Sequence, residues 1–127
     1  MVLFSIFILI NIHKSNIDLP KVKIKSCYDG DTCKTFTGER IRIACIDAPE
    51  LKGKRSNPIA AIKSRDYLNS FIGGKEVNLR RITKDRYGRT VAELYKDGVN
   101  IQKDLLEKGY ANIYKKYVSQ CPSLNNK

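Results

Sequence analysis

Residues 22–47 read VKIKSCYDGDTCKTFTGERIRIACID, and this stretch decides the fold. Short runs rich in β-branched and aromatic residues are broken by Asp29-Gly30 and by Thr37-Gly38. Both dipeptides turn hairpins, so residues 22–46 are expected to form three antiparallel strands. Asp29, Asp31, Asp47 and Glu50 lie in or just beyond the same stretch, with Arg42 among them.

Downstream, Asn57 caps a helix with Pro58 at its first position, and Ala61, Leu68, Phe71 and Ile72 give it one apolar stripe. Gly73-Gly74 ends it. Residues 76–82 alternate as a strand, 84–88 form a charged turn, and 90–95 form a further strand that stops before Asp97-Gly98. Residues 100–108 read as a second helix, with Ile101, Leu105 and Leu106 inward and Gly109 just past its end. Three strands, a helix, two strands and a helix predict an α+β, mainly β, chain: a closed five-stranded antiparallel barrel of the OB type with two to three helices. That architecture is common among nucleic-acid binders. It would bring Asp31, Arg42, Asp47 and Arg89 to one end.

The chain has 127 residues, so one domain is expected. Lys and Arg number 24 against 13 Asp and Glu, a formal charge of +11. Such a surface favours polyanions through steering and counterion release: nucleic acid first, anionic membrane or cell wall behind it. Residues 1–12 are almost wholly apolar. They are shorter than the roughly 20 residues of a spanning helix. Residues 1–13 therefore read as a signal peptide or an uncleaved N-terminal membrane anchor, ahead of a buried strand. Residues 14–20 read as a linker, 21–120 as the folded domain and 121–127 as a polar tail. The implied location is outside the cytoplasm: secreted, periplasmic or membrane-anchored.

Cys27, Cys33, Cys45 and Cys121 contain no C-x-x-C pair, which in an exported chain suggests disulfides rather than zinc. Three pairings are open. Cys27 and Cys33 flank the Asp-Gly turn and can face each other across the hairpin, leaving Cys45 to tie down Cys121. In a reducing compartment all four would be thiols.

The only histidine is His13, inside or beside the leader, so histidine acid-base chemistry and Ser-His-Asp triads have no residues to use. A hydrolase built on this chain must use carboxylates, arginines and a hard metal ion. Asp31 and Asp47, brought together by the Thr37-Gly38 hairpin, suit calcium or a similar hard cation, with carbonyls and waters completing the shell. Glu50 follows Pro49 and is placed to orient a water. Arg42 and Arg89 suit bidentate contact with phosphate.

Tyr28-Asp29-Gly30-Asp31-Thr32, then Arg42 through Glu50, then Asp85-Arg86-Tyr87-Gly88-Arg89, resemble in order and spacing the staphylococcal nuclease (thermonuclease) family over about residues 21–117. The resemblance implies an OB-fold phosphodiesterase that uses one calcium ion to hydrolyse DNA and RNA, leaving 3′-phosphate and 5′-hydroxyl ends. It implies that Asp31, Asp47 and the Ala48 backbone carbonyl ligand the ion, with Asp29 in the outer shell. Glu50 would be the base, and Arg42 and Arg89 the phosphate clamp. Arg86 and Tyr87 match positions near the terminal phosphate and base. Tyr114 or Tyr117 would stack on a base, and Lys52, Lys54 and Arg55 would funnel the strand. A monomer without protein partners is the expectation. Ala48 stands where threonine is common in the family, and the long C-terminal helix of the staphylococcal type is missing. Two other readings are a nuclease-like barrel that only binds nucleic acid, and a cationic wall- or membrane-binding protein. The first should have lost some of Asp31, Arg42, Asp47, Glu50 and Arg89; the second gives no reason for the acids.

Overall fold

The computed structural model describes residues 18–124, so the leader and most of the linker lie outside the described residues, as do residues 125–127. Strands β1 (Lys21–Asp29), β2 (Thr32–Thr35), β3 (Arg40–Ile43), β5 (Glu76–Lys84) and β6 (Thr90–Lys96) form one sheet in the order β3-β2-β1-β5-β6. Pairing of β3 with β6 closes it into a barrel. Helix α1 (Pro58–Ile72) joins the two halves, and α2 (Ile101–Glu107) follows β6 through the short strand β7 (Val99–Asn100). No helix of the described residues is long and apolar enough to cross a membrane.

The barrel is the expected one, except that its closing seam is parallel: Ile41 pairs with Thr90, Arg42 with Val91 and Ile43 with Ala92. Strand directions cannot alternate all the way round a ring of five. One seam must therefore be parallel, and the chain puts it between the last strands of the two halves.

Strand β1 buries Ile24 and Cys27, three positions apart, where plain alternation would turn one of them to solvent. A bulge between Ile24 and Ser26 resets the phase. Ile41 and Ile43 of β3, Val77 and Leu79 of β5, and Ala92 and Leu94 of β6 complete the barrel interior. Helix α1 adds Leu68 and Ile72, and α2 adds Ile101 and Leu105. Asn57 caps α1 as expected, its side chain accepting the Ala60 amide at 3.3 Å.

The third strand is shorter than its sequence suggests. It ends at Ile43, the chain turns through Ala44 and Cys45, where Cys45 has φ 68°, and a separate strand β4 (Ile46–Asp47) carries the second aspartate. Strand β4 pairs with β8 (Asn112–Ile113), which sequence periodicity is too short to reveal. The disulfides are Cys27–Cys33, across the first hairpin, and Cys45–Cys121. Cys121 is fully buried and Leu124 packs on the core, so the fold continues past residue 120.

Gly30 marks a turn, but its need for glycine comes from packing. A Cβ there would lie 2.7 Å from both the Ala48 and Ser64 Cβ atoms. The turn is thereby pressed between the Asp47-Ala48 segment and α1. Gly30→Ala is expected to destabilise the protein by about 1–3 kcal/mol, the usual range for overpacking. A thermal melt should show a drop of several degrees, and an unchanged Tm would mean that the turn has room to move.

Candidate active site

Asp31 leaves the first turn just before β2, and its backbone carbonyl accepts the Ile43 amide at 2.8 Å. Its carboxylate points inward, and the residue is only 5% exposed. Oδ2 accepts the Ala48 amide at 2.8 Å and Oδ1 accepts the Thr32 hydroxyl at 3.1 Å. Burial pushes its pKa up to about 7; Arg42 opposes that rise and Asp29 adds to it. Asp29 accepts the Asp31 amide at 3.0 Å, the bond of a tight Asx turn.

Arg42 stands between the two aspartates, its Nη2 lying 3.4 Å from Asp31 Oδ2 and 3.7 Å from Asp47 Oδ1. Its other terminal nitrogen donates to the carbonyls of Ile43, at 2.6 Å, and Ile46, at 2.9 Å. One guanidinium therefore balances two carboxylates and fixes the corner at which β3 gives way to β4. Neither hydrogen bond to a carbonyl is visible in the residue pattern, which shows only that Arg42 faces away from Ile41 and Ile43.

Arg89 comes from the far half of the chain, one residue before β6. Its Nε donates to Asp85 Oδ2 at 2.7 Å, and its guanidinium lies 5.3 Å from the centre of the Tyr87 ring. Burial raises the pKa of Asp85, but hydrogen bonds from the Arg89 amide and side chain and the Tyr87 amide outweigh it and hold the carboxyl below its ordinary range. Arg86 packs over the same ring, and the Arg40 guanidinium donates to the Tyr87 carbonyl.

These groups open onto one cleft of about 950 Å³. Asp29, Asp31, Arg42, Asp47 and Glu50 line it together with Arg86, Tyr87 and Arg89. Lys52 and Arg55 line it too; Lys54 and Ala48 are not in its lining. Tyr114 and Tyr117 also line it, packed edge to face with centroids 5.0 Å apart and each 39% exposed. Tyr28, Lys84 and Lys116 line the cleft too, although the sequence reading assigned them no role. For Tyr28 the available signal was its place directly before Asp29-Gly30-Asp31; for the two lysines there was none.

The donors on the cleft floor are all oxygen, which suits a hard cation and not zinc. Among the described residues no group of three or more His, Cys, Asp or Glu side chains gathers as a metal cluster. A cation held by Asp31 and Asp47 would thus depend on backbone carbonyl and water for the rest of its shell. A carboxylate as deeply buried as Asp31, with its pKa raised, is a group that a bound cation would relieve.

Residues 40–126 match the model of the family described as staphylococcal nuclease homologue. The chain is 34% identical over 93 residues to an uncharacterized endonuclease of Escherichia coli O157:H7, covering 70% of this chain and 58% of that protein. It is 36% identical over 103 residues to the probable staphylococcal-like nuclease CAN3 of Oryza sativa subsp. japonica, covering 81% of this chain and 26% of that one. It is also 32% identical over 104 residues to the SPbeta prophage-derived endonuclease YokF of Bacillus subtilis, covering 76% and 35% respectively. The chain spans less than two thirds of the length of each of these relatives.

Proposed function

Because the chain belongs to the staphylococcal nuclease homologue family, we propose that it is an exported, calcium-dependent nuclease that hydrolyses DNA and RNA with little sequence preference. The observation that carries the reading is the convergence of Asp31, Asp47, Arg42, Glu50 and Arg89 on one cleft of a strongly basic protein. The two disulfides support export, since such bonds persist in oxidising compartments. A barrel that only bound polyanions would need the lysines and arginines. It would gain nothing from burying Asp31, whose charge opposes both folding and the ligand.

In this reading Asp31, Asp47 and the Ala48 carbonyl would hold the calcium, and Asp29 would act through an outer shell. Bound there, calcium supplies a Lewis acid for the phosphoryl oxygen. Arg89 uses Nε for Asp85, which leaves its terminal nitrogens for the phosphate. Arg42 contributes the opposing positive charge. Both are held in advance by protein carboxylates and carbonyls, so little reorganisation is needed as charge builds on the phosphate oxygens. Glu50 is exposed at the cleft edge and takes a proton from the attacking water. The bond from phosphorus to the 5′ oxygen breaks, the leaving oxygen takes a proton from solvent, and the products carry 3′-phosphate and 5′-hydroxyl ends. Tyr114 and Tyr117 offer ring faces to unpaired bases. Lys52, Lys54 and Arg55, with Arg86 and Tyr87 opposite, draw the strand in without reading its sequence.

Digestion of a single-stranded oligonucleotide tests this. Calcium should support cleavage and a chelator should stop it. Glu50→Gln should lower kcat by about 10²-fold, the lower end of what a positioned base contributes. Cleavage that survives the chelator would refute the metal assignment, and full activity in Glu50→Gln would refute the base.

A further inference from the structure

The segment that bears Tyr114 and Tyr117 is held locally only by a turn, in which the Tyr117 amide donates to the Tyr114 carbonyl at 3.0 Å, and by the contact between the two rings. Every residue from 112 to 117 is exposed. The segment is fixed from its two ends. At one end β8 pairs with β4, and the Tyr114 amide donates to the Cys45 carbonyl at 2.9 Å. At the other, Cys121 is fully buried and bonded to Cys45.

Both ends therefore lead to the same corner. Cys45 is the turn residue between β3 and β4, two positions before Asp47, and Arg42 pins the carbonyls on either side of it, those of Ile43 and Ile46. A second clamp lies behind the wall. Arg80 pairs with the buried Glu93 and donates to the Gln120 carbonyl at 2.8 Å, while the Ser123 hydroxyl donates to Glu93 at 3.1 Å.

We propose that Cys45 and Cys121 are positioning residues, whose disulfide sets the aromatic wall of the cleft at a fixed distance from the carboxylate corner and so determines how tightly the nucleic-acid strand is held. The inference rests on the nuclease reading. Opening the bond requires a thiol reductant that delivers two electrons and leaves two thiols. The wall is then tethered at one end and by the weaker polar clamp, and stacking on Tyr114 and Tyr117 is lost while the carboxylates and arginines stay in the barrel. The Cys27–Cys33 bond lies across the first hairpin and should play no such part.

The test compares the oxidised wild type, Cys45→Ser/Cys121→Ser and Cys27→Ser/Cys33→Ser. Each is assayed for binding of a fluorescent single-stranded oligonucleotide in chelator and for kcat and KM in calcium, with circular dichroism melts to establish folding. Opening Cys45–Cys121 should raise both the Kd and KM about tenfold, in line with one lost base stack, and leave kcat within about twofold. The other pair should leave Kd and KM unchanged. In a Tyr114→Ala/Tyr117→Ala background, opening Cys45–Cys121 should cause no further loss, because the effect runs through those rings. If Cys45→Ser/Cys121→Ser does not fold, the Cys27→Ser/Cys33→Ser variant assayed before and after a thiol reductant decides, because only Cys45–Cys121 is then left to open. Reduction should raise KM alone. A folded Cys45→Ser/Cys121→Ser variant with wild-type KM, an undiminished loss in the tyrosine-free background, or an unchanged KM on reducing the folded Cys27→Ser/Cys33→Ser variant would overturn the proposal. Failure of the oxidised wild type to bind the oligonucleotide at all would instead overturn the nuclease reading, and this inference with it.

Discussion

Asp31→Asn is expected to lower turnover by at least about 10³-fold and, in the absence of metal at pH 8, to make the protein more stable. On the proposed calcium reading, the loss follows from removing one of the two carboxylates that would hold the cation, since several kcal/mol of Lewis-acid stabilisation would go with it. The gain follows from burial. The folded protein keeps a proton on Asp31 up to about pH 7, whereas the ordinary value is 3.8. Between those values the folded state binds the extra proton, so raising the pH through that window favours unfolding, by an amount on the order of 4 kcal/mol once both values are passed. Asparagine carries no charge at any of these pH values. It has one carbonyl oxygen where Asp31 uses two to accept the Ala48 amide and the Thr32 hydroxyl, so part of the gain is returned. The net stabilisation should be about 2 kcal/mol at pH 8 and should reverse to a net destabilisation of about 2 kcal/mol near pH 4, where only the lost acceptor remains. Denaturant melts in chelator across that range measure it. Added calcium should stabilise the wild type and leave the variant unmoved. If the two proteins respond to pH alike, Asp31 is not the group that opposes folding.

Arg42→Lys keeps the charge and is expected to fail. One ammonium can sit near Asp31 and Asp47, but it cannot also span the Ile43 and Ile46 carbonyls that the guanidinium fork reaches. The corner that carries Asp47 loses its clamp, and the phosphate loses a preset donor. Turnover should fall by about 10²–10³-fold, as for other preorganised donors. Stability should fall by about 1–3 kcal/mol, since two carbonyls lose their partners. Single-turnover cleavage and a thermal melt read the two effects separately. Wild-type cleavage in the variant would show that Arg42 acts only as a point of charge.

What the sequence makes legible here is whatever local chemistry determines. The Asp29-Gly30 and Thr37-Gly38 turns, the Asn57-Pro58 helix start and the alternation of β3 and β5 are each set by neighbours in the chain, and the structure repeats them. The two-residue strand that carries Asp47 is different. It exists because β8, some 65 residues away, pairs with it and Arg42 clamps the corner before it, out of line with β3. Asp31 could be read as a carboxylate near the core, but its depth depends on the Ala48 segment and α1 closing over Gly30. Arg42 and Arg89 were legible as cations facing one end of the barrel; that each is already held by a carboxylate is a tertiary fact. Lys84 and Lys116 escaped notice because nothing in their own spacing separates a cleft lining from an ordinary surface.

The parallel seam has a consequence for how the protein comes into being. Arg42 lies on one strand of the seam and Arg89 directly precedes the other, so the two arginines face one cleft only after the halves of the barrel have joined. Each half can form its own hairpins early, since those contacts are local, while the seam must wait for distant segments to meet. A chain caught midway through folding would own every residue of the cleft and have no cleft.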